Sequence, residues 1–173
     1  MIVLDREEMR RTVMRLSMEI IEKNKGADDL VLVGIRPRGV ILAKKMRREI
    51  ERIEGVTLPL GTLDIARHRD DLSEHEREAE FSGSEIDFSL EGKNVALIDD
   101  IMYTGRTARA AVSALLELGT PRTVRLYTLI DRGHRELPFR PDSAGKTIPT
   151  SSEEIIKVHF KETDGDDLVI LTR

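Results

Sequence analysis

Apolar runs of strand length alternate with amphipathic helical patterns along most of the chain. Continuous apolar runs occupy residues 30–35 and 95–98, a mainly apolar stretch of strand length occupies residues 124–130, and a looser alternation occupies residues 56–64. Apolar positions recur at helical spacing over residues 9–20, 40–53 and 108–118. Strands buried on both faces appear as continuous apolar runs, and helices are the usual connection between parallel strands. The pattern therefore predicts an α/β fold with a doubly wound, mainly parallel sheet.

The first helix has recognisable ends in the sequence. Asp5 and Glu8 form a capping-box pattern, and Gly26 predicts the end of the helix at about residues 24–26. No linker or repeat interrupts the rest of the chain, so we expect a single domain over residues 1–173.

Two polar stretches and the C-terminus complete the expected architecture. Residues 66–91, hereafter the lid, are rich in charge, which favours either a plain surface excursion or a mobile lid over a binding site. We expect its return to be a hairpin anchored by Phe81, Ile86, Phe88 and Leu90. Residues 131–150, hereafter the hood, contain several prolines and glycines and are expected to be loop. The runs at 155–160 and 168–171 predict an antiparallel pair.

Composition limits the chemistry available to the chain. Hydrophobic residues make up 39% and charged residues 35% of the sequence, which is typical of a soluble globular protein. The absence of cysteine excludes disulfides and thiolate catalysis, and the four histidines show no metal-ligand spacing. No apolar run approaches the roughly 20 residues that span a bilayer, so we expect a cytoplasmic protein with no membrane partner. The net charge of −4 confines any RNA contact to a local basic face.

One stretch carries the strongest candidate chemistry. Asp99 and Asp100 directly follow an apolar run, and Tyr103, Thr104, Gly105, Arg106 and Thr107 lead from there into a helix. Carboxylates accept hydrogen bonds from vicinal sugar hydroxyls, and the N–H groups of a helix N-terminus bind phosphate. The stretch therefore predicts a ribose-phosphate site at the carboxyl end of a strand.

A second loop carries a different anion chemistry. Arg36, Pro37, Arg38 and Gly39 follow the run at 30–35 and precede a helix. Two arginines suit a diphosphate, and glycine permits close approach of the backbone. Pro37 removes one amide donor and also permits a cis peptide, and the sequence leaves the balance of these effects open. Two separate anion sites predict a substrate with both a phosphate and a diphosphate.

These segments resemble a known enzyme family. Residues 95–107 are similar to the motif that binds 5-phosphoribosyl pyrophosphate (PRPP) in type I phosphoribosyltransferases. Together with residues 69–72, 131–138 and 145–150, they resemble the PyrR family of bifunctional pyrimidine operon attenuators and uracil phosphoribosyltransferases. The resemblance implies transfer of ribose-5-phosphate from PRPP to uracil, giving UMP and pyrophosphate. It also implies binding of pyrimidine operon leader RNA with UMP or UTP as effector, and Mg²⁺ that is carried with PRPP and has no dedicated protein ligands.

The resemblance also assigns roles to individual residues. Catalytic roles fall to Asp99, Asp100, Arg36 and Arg38, with Pro37, Gly39 and Tyr103, Thr104, Gly105, Arg106 and Thr107 binding PRPP or nucleotide. Base binding is implied for Ile130, Asp131 and Arg132, lid function for Arg67, Arg69, Asp70 and Asp71, and RNA binding for Lys23, Arg140, Lys146 and Thr150.

Some positions depart from the family pattern and leave alternatives open. Met14, Met18 and Lys23 stand where we expect Thr, His and Arg, and residues 66–68 replace an expected Thr-Leu-Tyr. The open alternatives are a nucleotide-sensing RNA regulator with little turnover and a type I transferase for another base. The apolar side chains of Met14, Met18 and Ile21 indicate either core packing or the interface of a homo-oligomer.

Overall fold

The computed structural model describes all residues from Met1 to Arg173. Its eight strands are β1 (Ile2–Leu4), β2 (Leu30–Ile35), β3 (Leu60–Leu63), β4 (Asn94–Met102), β5 (Thr123–Asp131), β6 (Ser143–Thr147), β7 (Ile155–His159) and β8 (Leu168–Thr172). Its five helices are α1 (Arg6–Asn24), α2 (Arg38–Glu54), α3 (Glu74–Glu80), α4 (Arg106–Leu118) and α5 (Lys161–Asp164). None of the helices is long and apolar enough to cross a membrane.

The main sheet holds five parallel strands in the order β3-β2-β4-β5-β6. From β2 the chain first moves outward to β3 and then returns across β2 to β4, from which it continues in the opposite direction. The strand order therefore reverses between β2 and β4. In open α/β sheets, the crevice outside the carboxyl ends at such a point is the usual ligand site. The predicted doubly wound, mainly parallel sheet is confirmed.

Each face of the main sheet has its own apolar core. Leu30 and Leu32 of β2 belong to the core that contains the buried residues of α1 and α2. Val31 and Val33 belong to the core that contains the buried residues of α4. Successive strand residues point to opposite faces, so one continuous apolar run supplies both cores.

The first helix begins as its sequence predicts. Glu8 N donates to Asp5 Oδ1 at 2.8 Å and Asp5 N donates to Glu8 Oε2 at 2.9 Å, which completes the capping box. At the other end Lys25, with φ of 57°, takes the left-handed cap position that we expected for Gly26. Gly26 follows with φ of 119°.

The lid is more ordered than its composition suggests. A 3-10 turn covers Ala66–His68, and Ser73 and Glu76 form a capping box at the start of α3. Its return is not the expected hairpin, because only one antiparallel bridge, Thr62 with Glu85, connects it to β3. Leu90 is buried, as its anchoring role requires. The helix was missed because its exposed, charged residues show no apolar stripe.

The hood and the N-terminus each contain one unpredicted strand. Ser143–Thr147 forms β6, which pairs in parallel with β5, so the loop expected over these residues is wrong. Edge strands form through backbone pairing and need no apolar run, and β6 has none. The antiparallel pair β7-β8 is confirmed, and β1 adds to β8 as a third strand.

Candidate active site

A cleft of 490 Å³ opens at the carboxyl ends of β2, β3 and β4. Its lining combines both predicted loops with the end of β3 and part of the lid: Ile35, Arg36, Pro37, Arg38, Asp64, Ile65, Ala66, Arg69, Glu80, Ser82, Asp99, Asp100 and Thr107. The cleft therefore lies at the point where the strand order reverses.

Close backbone packing brings the two predicted loops together. A Cβ atom at Gly39 would lie 2.4 Å from Ile98 O, so the start of α2 rests directly on the end of β4. Gly34 in β2 is similarly crowded, because its Cβ would lie 2.6 Å from Val40 Cα. These glycines let the arginine loop and the acid pair line one cleft. The peptide between Arg36 and Pro37 is cis.

The acid pair lies within a strand that extends past the apolar run at 95–98. β4 continues to Met102, and Asp99 and Asp100 both line the cleft. Asp100 N donates to Asp99 Oδ1 at 2.9 Å, and Ile101 N donates to Asp100 Oδ1 at 3.0 Å. Burial, together with the adjacent charge of Asp100, raises the pKa of Asp99 well above its ordinary value. The pair therefore favours a ligand that supplies hydroxyl donors or positive charge.

Arg36 and Arg38 have different surroundings, and Arg38 is the first residue of α2, whereas the sequence placed it in the loop. Arg36 Nη1 donates to Ser82 Oγ at 3.0 Å, and its Nη2 lies 3.3 Å from Glu85 Oε1. Arg38 Nη1 donates to Val158 O at 2.6 Å and to Asp164 Oδ2 at 3.0 Å. The hydrogen bond with Asp164 raises the pKa of the Arg38 guanidinium above its ordinary value. Arg36 is thus held by the lid, whereas Arg38 joins the cleft to the C-terminal hairpin.

The N-terminus of α4 supplies the other predicted anion site. Gly105, with φ of 93°, occupies the N-cap position and offers no side-chain cap. Thr104 Oγ1 accepts from Arg106 N at 3.2 Å. The next first-turn N–H group, that of Thr107, has no partner one turn earlier in a helix, and Thr107 lines the cleft. This terminus can therefore donate to a phosphate.

The residues predicted for base binding lie at the end of β5, outside the cleft lining. The Arg132 guanidinium lies 4.1 Å from the centre of the Tyr103 ring and donates to Glu154 O at 2.7 Å. The Asp131 carboxylate accepts from Arg135 Nη2 at 2.6 Å. The carbonyl of Ile130 accepts from Thr128 Oγ1 at 3.1 Å. The charged side chains at this end of β5 are therefore engaged within the protein.

Of the four predicted lid residues, only Arg69 lines the cleft. It pairs with Asp71, which raises the pKa of its guanidinium. Arg67 lies 3.0 Å from Glu78 and belongs to a separate groove between the lid and α4. Asp70 reaches Arg106 instead, with 2.6 Å between Oδ2 and Nη1. These contacts hold the lid against itself and against α4.

Sequence reasoning missed Asp64, which lies directly after β3. Its carboxylate accepts four hydrogen bonds, from Ala66 N, Ser82 N, Ser82 Oγ and Gly83 N. Burial favours the protonated form, but these donors outweigh it and lower the pKa of Asp64. The signal was available, because Asp64 stands at the carboxyl end of a predicted strand, as Asp99 does.

The predicted RNA-binding residues fall into two places. Lys23 is exposed and shares a cavity with Lys25 and Arg125, and Arg140 lines a neighbouring cavity; Asp142 and Ser143 line both. Lys146, also exposed, lies on β6 and donates to Val3 O at 3.2 Å. Thr150 lies apart from these residues, because its hydroxyl bonds with Arg132 at the end of β5.

Comparisons with known proteins show the family of the chain. The chain matches the family described as Phosphoribosyl transferase domain over residues 2–163. It is 53% identical to the Bifunctional protein PyrR of Alkaliphilus metalliredigens, covering 98% of this chain and 93% of that protein. It is 47% identical to the Bifunctional protein PyrR of Deinococcus radiodurans, and this match covers 98% of this chain and 92% of that protein.

Solved structures with the same fold include more distant proteins. The hypoxanthine phosphoribosyltransferase of Trypanosoma cruzi aligns with a TM-score of 0.74 at 18% identity, over 99% of this chain and 95% of that chain. The corresponding enzyme of Staphylococcus aureus aligns with a TM-score of 0.69 at 20% identity, over 98% and 90%. These likenesses concern the fold, whereas the sequence matches decide the family. The chain belongs to the PyrR family, within the phosphoribosyl transferase domain proteins.

Proposed function

We propose that this protein transfers ribose-5-phosphate from PRPP to uracil, giving UMP and pyrophosphate, and that it regulates pyrimidine operon expression through leader RNA. The observation that carries the enzymatic part is one cleft that holds an arginine loop, an acid pair and a helix N-terminus. PRPP has a diphosphate, vicinal ribose hydroxyls and a 5-phosphate, and each matches one of these three features.

In this proposal, each part of the cleft binds a different part of PRPP. Asp99 and Asp100 accept hydrogen bonds from the ribose hydroxyls, and their charge favours the positive charge that develops at the anomeric carbon. The first turn of α4, from Gly105 to Thr107, binds the 5-phosphate. Arg36, the backbone at Pro37 and Gly39, and the charge of Arg38 stabilise the diphosphate as it leaves.

The donor set of the cleft fits Mg²⁺ that arrives with its substrate. No group of three or more histidine, cysteine or acidic side chains forms a dedicated metal site. Mg²⁺ commonly binds through one or two carboxylates together with substrate phosphates. Four carboxylates line the cleft, but Asp64 already accepts four hydrogen bonds and Glu80 pairs with Arg69, which leaves Asp99 and Asp100 for the ion. When bound, the ion would neutralise part of the charge on the diphosphate.

No enzyme nucleophile is required for the transfer. Uracil N1 forms the new bond to the anomeric carbon while the bond from that carbon to the diphosphate oxygen breaks, and the N1 proton passes to solvent. Catalysis then depends on positioning and charge. We place uracil beside Tyr103 and the end of β5, near Ile130, Asp131 and Arg132, as the family resemblance implies. The charged side chains and the carbonyl oxygens of these residues already make hydrogen bonds within the protein.

The enzymatic proposal is tested by product formation with uracil, hypoxanthine and orotate. Of the three bases, we expect only uracil to support PRPP-dependent release of pyrophosphate. Asp100→Asn should lower kcat/KM by about 10- to 150-fold, the effect of losing one hydrogen bond to a charged group. Turnover with hypoxanthine or orotate but not uracil identifies a transferase for another base. PRPP binding without turnover leaves a nucleotide-sensing regulator.

The regulatory part of the proposal has its own test. We infer that leader RNA contacts Lys23, Arg140 and Lys146, that UMP or UTP acts as effector, and that the protein works as a homo-oligomer. Leader-RNA binding is measured at several fixed salt concentrations with and without UMP, since phosphate contacts make affinity salt-dependent. Sedimentation under the same conditions reports the oligomeric state. Absence of RNA binding in both nucleotide conditions would leave only the enzyme.

A further inference from the structure

Ser82 connects a cleft arginine to a buried carboxylate. Arg36 Nη1 donates to Ser82 Oγ at 3.0 Å, and Ser82 Oγ donates to Asp64 Oδ2 at 3.0 Å. The directions are fixed, because a guanidinium can only donate and an ionised carboxylate can only accept. The Ser82 hydroxyl therefore donates its single proton to Asp64, and a lone pair on the same oxygen accepts the hydrogen bond from Arg36.

Asp64 gives this chain of hydrogen bonds a fixed end. The residue is only 8% exposed, and its Oδ2 also accepts from Ser82 N at 2.7 Å and Gly83 N at 3.0 Å. Because these donors lower the pKa of Asp64, the carboxylate stays ionised at neutral pH. Ser82 is itself exposed, but both its N–H and its hydroxyl are bound to the same buried oxygen.

The other restraint on Arg36 is weaker. Glu85 Oε1 lies 3.3 Å from Arg36 Nη2, but the Glu85 side chain is 80% exposed. Ion pairs that involve so exposed a partner contribute little, because water and salt screen them. The hydrogen bond that Arg36 donates to Ser82 is therefore the main contact that orients the guanidinium at the cleft.

We propose that Ser82 is a positioning residue that holds Arg36 ready for the diphosphate of PRPP, with Asp64 as its anchor. This inference rests on the proposed function of the cleft. An arginine that is ordered before binding loses less side-chain freedom when the ligand arrives. Loss of the Ser82 hydroxyl should therefore weaken PRPP binding about 3- to 10-fold, the effect of ordering one long side chain on binding.

The lid offers a matched control for this proposal. Ser84 Oγ accepts from the backbone N–H of Asp64 at 2.8 Å, but the side-chain hydrogen bond of Arg36 goes to Ser82 and not to Ser84. Ser82→Ala and Ser84→Ala thus each remove one lid hydroxyl bonded to the same residue, and only the first disconnects Arg36. Ser82→Thr keeps a hydroxyl and should restore binding.

Binding of Mg-PRPP to the full-length protein is measured by calorimetry, and KM is measured separately for PRPP and uracil. We expect Ser82→Ala to raise Kd and KM for PRPP 3- to 10-fold, to leave KM for uracil within twofold, and to have no effect in an Arg36→Lys background. Ser84→Ala should change none of these values more than twofold. Equal effects of the two serine variants, or none for Ser82→Ala, would overturn the proposal.

A second measurement separates this inference from the proposed function. ¹⁵N relaxation of the Arg36 Nε–H group in the ligand-free protein reports the order of its side chain. We expect a lower order parameter in Ser82→Ala and an unchanged one in Ser84→Ala. If the wild-type protein fails to bind PRPP, the proposed function fails, and this measurement still decides whether Ser82 orders Arg36. An unchanged order parameter in Ser82→Ala would contradict the inference even if PRPP binds.

Discussion

Arg106 Nη1 and Asp70 Oδ2 lie 2.6 Å apart, and this ion pair joins the lid to the first turn of α4. The same guanidinium reaches Glu136 Oε1 in the hood, at 3.1 Å from its Nε. Arg106 therefore contacts the lid and the hood at once, beside the proposed phosphate site. Its position couples the conformation of both segments to the helix terminus that we expect to bind the 5-phosphate.

Substitution Asp70→Asn should loosen the lid without unfolding the protein. The charge on Arg106 would lose its lid partner, so backbone amides of residues 66–80 should exchange hydrogen faster by mass spectrometry. Exposed ion pairs contribute little to global stability, so Tm should stay nearly unchanged. Glu7→Gln, which removes an exposed ion pair with Arg10 on α1, serves as the control and should leave lid exchange unaltered. Wild-type exchange rates in Asp70→Asn would show that the pair does not restrain the lid.

Much of the fold could be predicted because its strands are buried on both faces. The apolar runs at β2 and β4 are continuous, that at β5 is interrupted only by Arg125 and Thr128, and each ends in polar residues at the same edge of the sheet. Both loops of the candidate cleft follow such runs, so they could be found from the chain alone. Asp64 escaped notice only because β3 is short and its alternation is loose.

The rest depends on contacts between distant parts of the chain. The Arg38 guanidinium is held by Asp164, 126 residues away, and no local pattern contains that pairing. Strand β6 has no apolar run, and its place beside β5 follows from backbone pairing and from the close fit of Gly145 against Leu129 O. Composition and periodicity cannot predict such tertiary contacts.

Substitution Gly39→Ala should destabilise the protein and disrupt the cleft. The added Cβ would lie 2.4 Å from Ile98 O, a backbone atom that cannot move without shifting β4. Overpacking of this kind costs about 1–3 kcal/mol, which should exceed the roughly 1 kcal/mol that alanine gains over glycine within a helix. Urea unfolding measures the net loss, and PRPP binding should weaken in parallel.

Gly61→Ala is the matched control for this substitution. Its added Cβ would lie 2.8 Å from Ile86 Cγ1, a side-chain atom that can move, so the free energy of unfolding should fall less than in Gly39→Ala. If Gly39→Ala is the more stable of the two variants, α2 does not need to approach β4 this closely.

Substitution Asp99→Asn should stabilise the free protein at neutral pH while impairing PRPP binding. The pKa of Asp99 is raised in the folded protein, first by burial and then by Asp100. The folded state therefore holds this proton more tightly than the unfolded state, and stability falls as pH rises from about 4 through the raised pKa. An asparagine side chain has no charge to desolvate. The Tm of the Asp99→Asn variant should therefore exceed that of the wild type at pH 7–8, and the difference should disappear at acidic pH.

The functional cost of Asp99→Asn is measured on the same samples. Loss of the charged acceptor should weaken PRPP binding about 10- to 150-fold. Asp87→Asn, at an exposed carboxyl outside the cleft, should change neither the pH dependence of Tm nor PRPP affinity. A lower Tm for Asp99→Asn at pH 8 would mean that the Asp99 charge is stabilised in the free protein.

The RNA surface can be mapped by salt dependence because its candidate residues lie in two places. Lys23 and Arg140 line adjacent cavities beside β6, whereas the Thr150 hydroxyl bonds with Arg132 at the end of β5. Each of Lys23→Gln and Arg140→Gln should lower the slope of log affinity against log salt by about 0.7, as expected for one phosphate contact on a single strand. Thr150→Val should leave that slope unchanged and alter uracil turnover instead. Lys157→Gln, at an exposed lysine of β7, is the charge-matched control. A change of the same size in the slope for Lys157→Gln would mean that RNA binding depends on net charge and not on the surface beside β6.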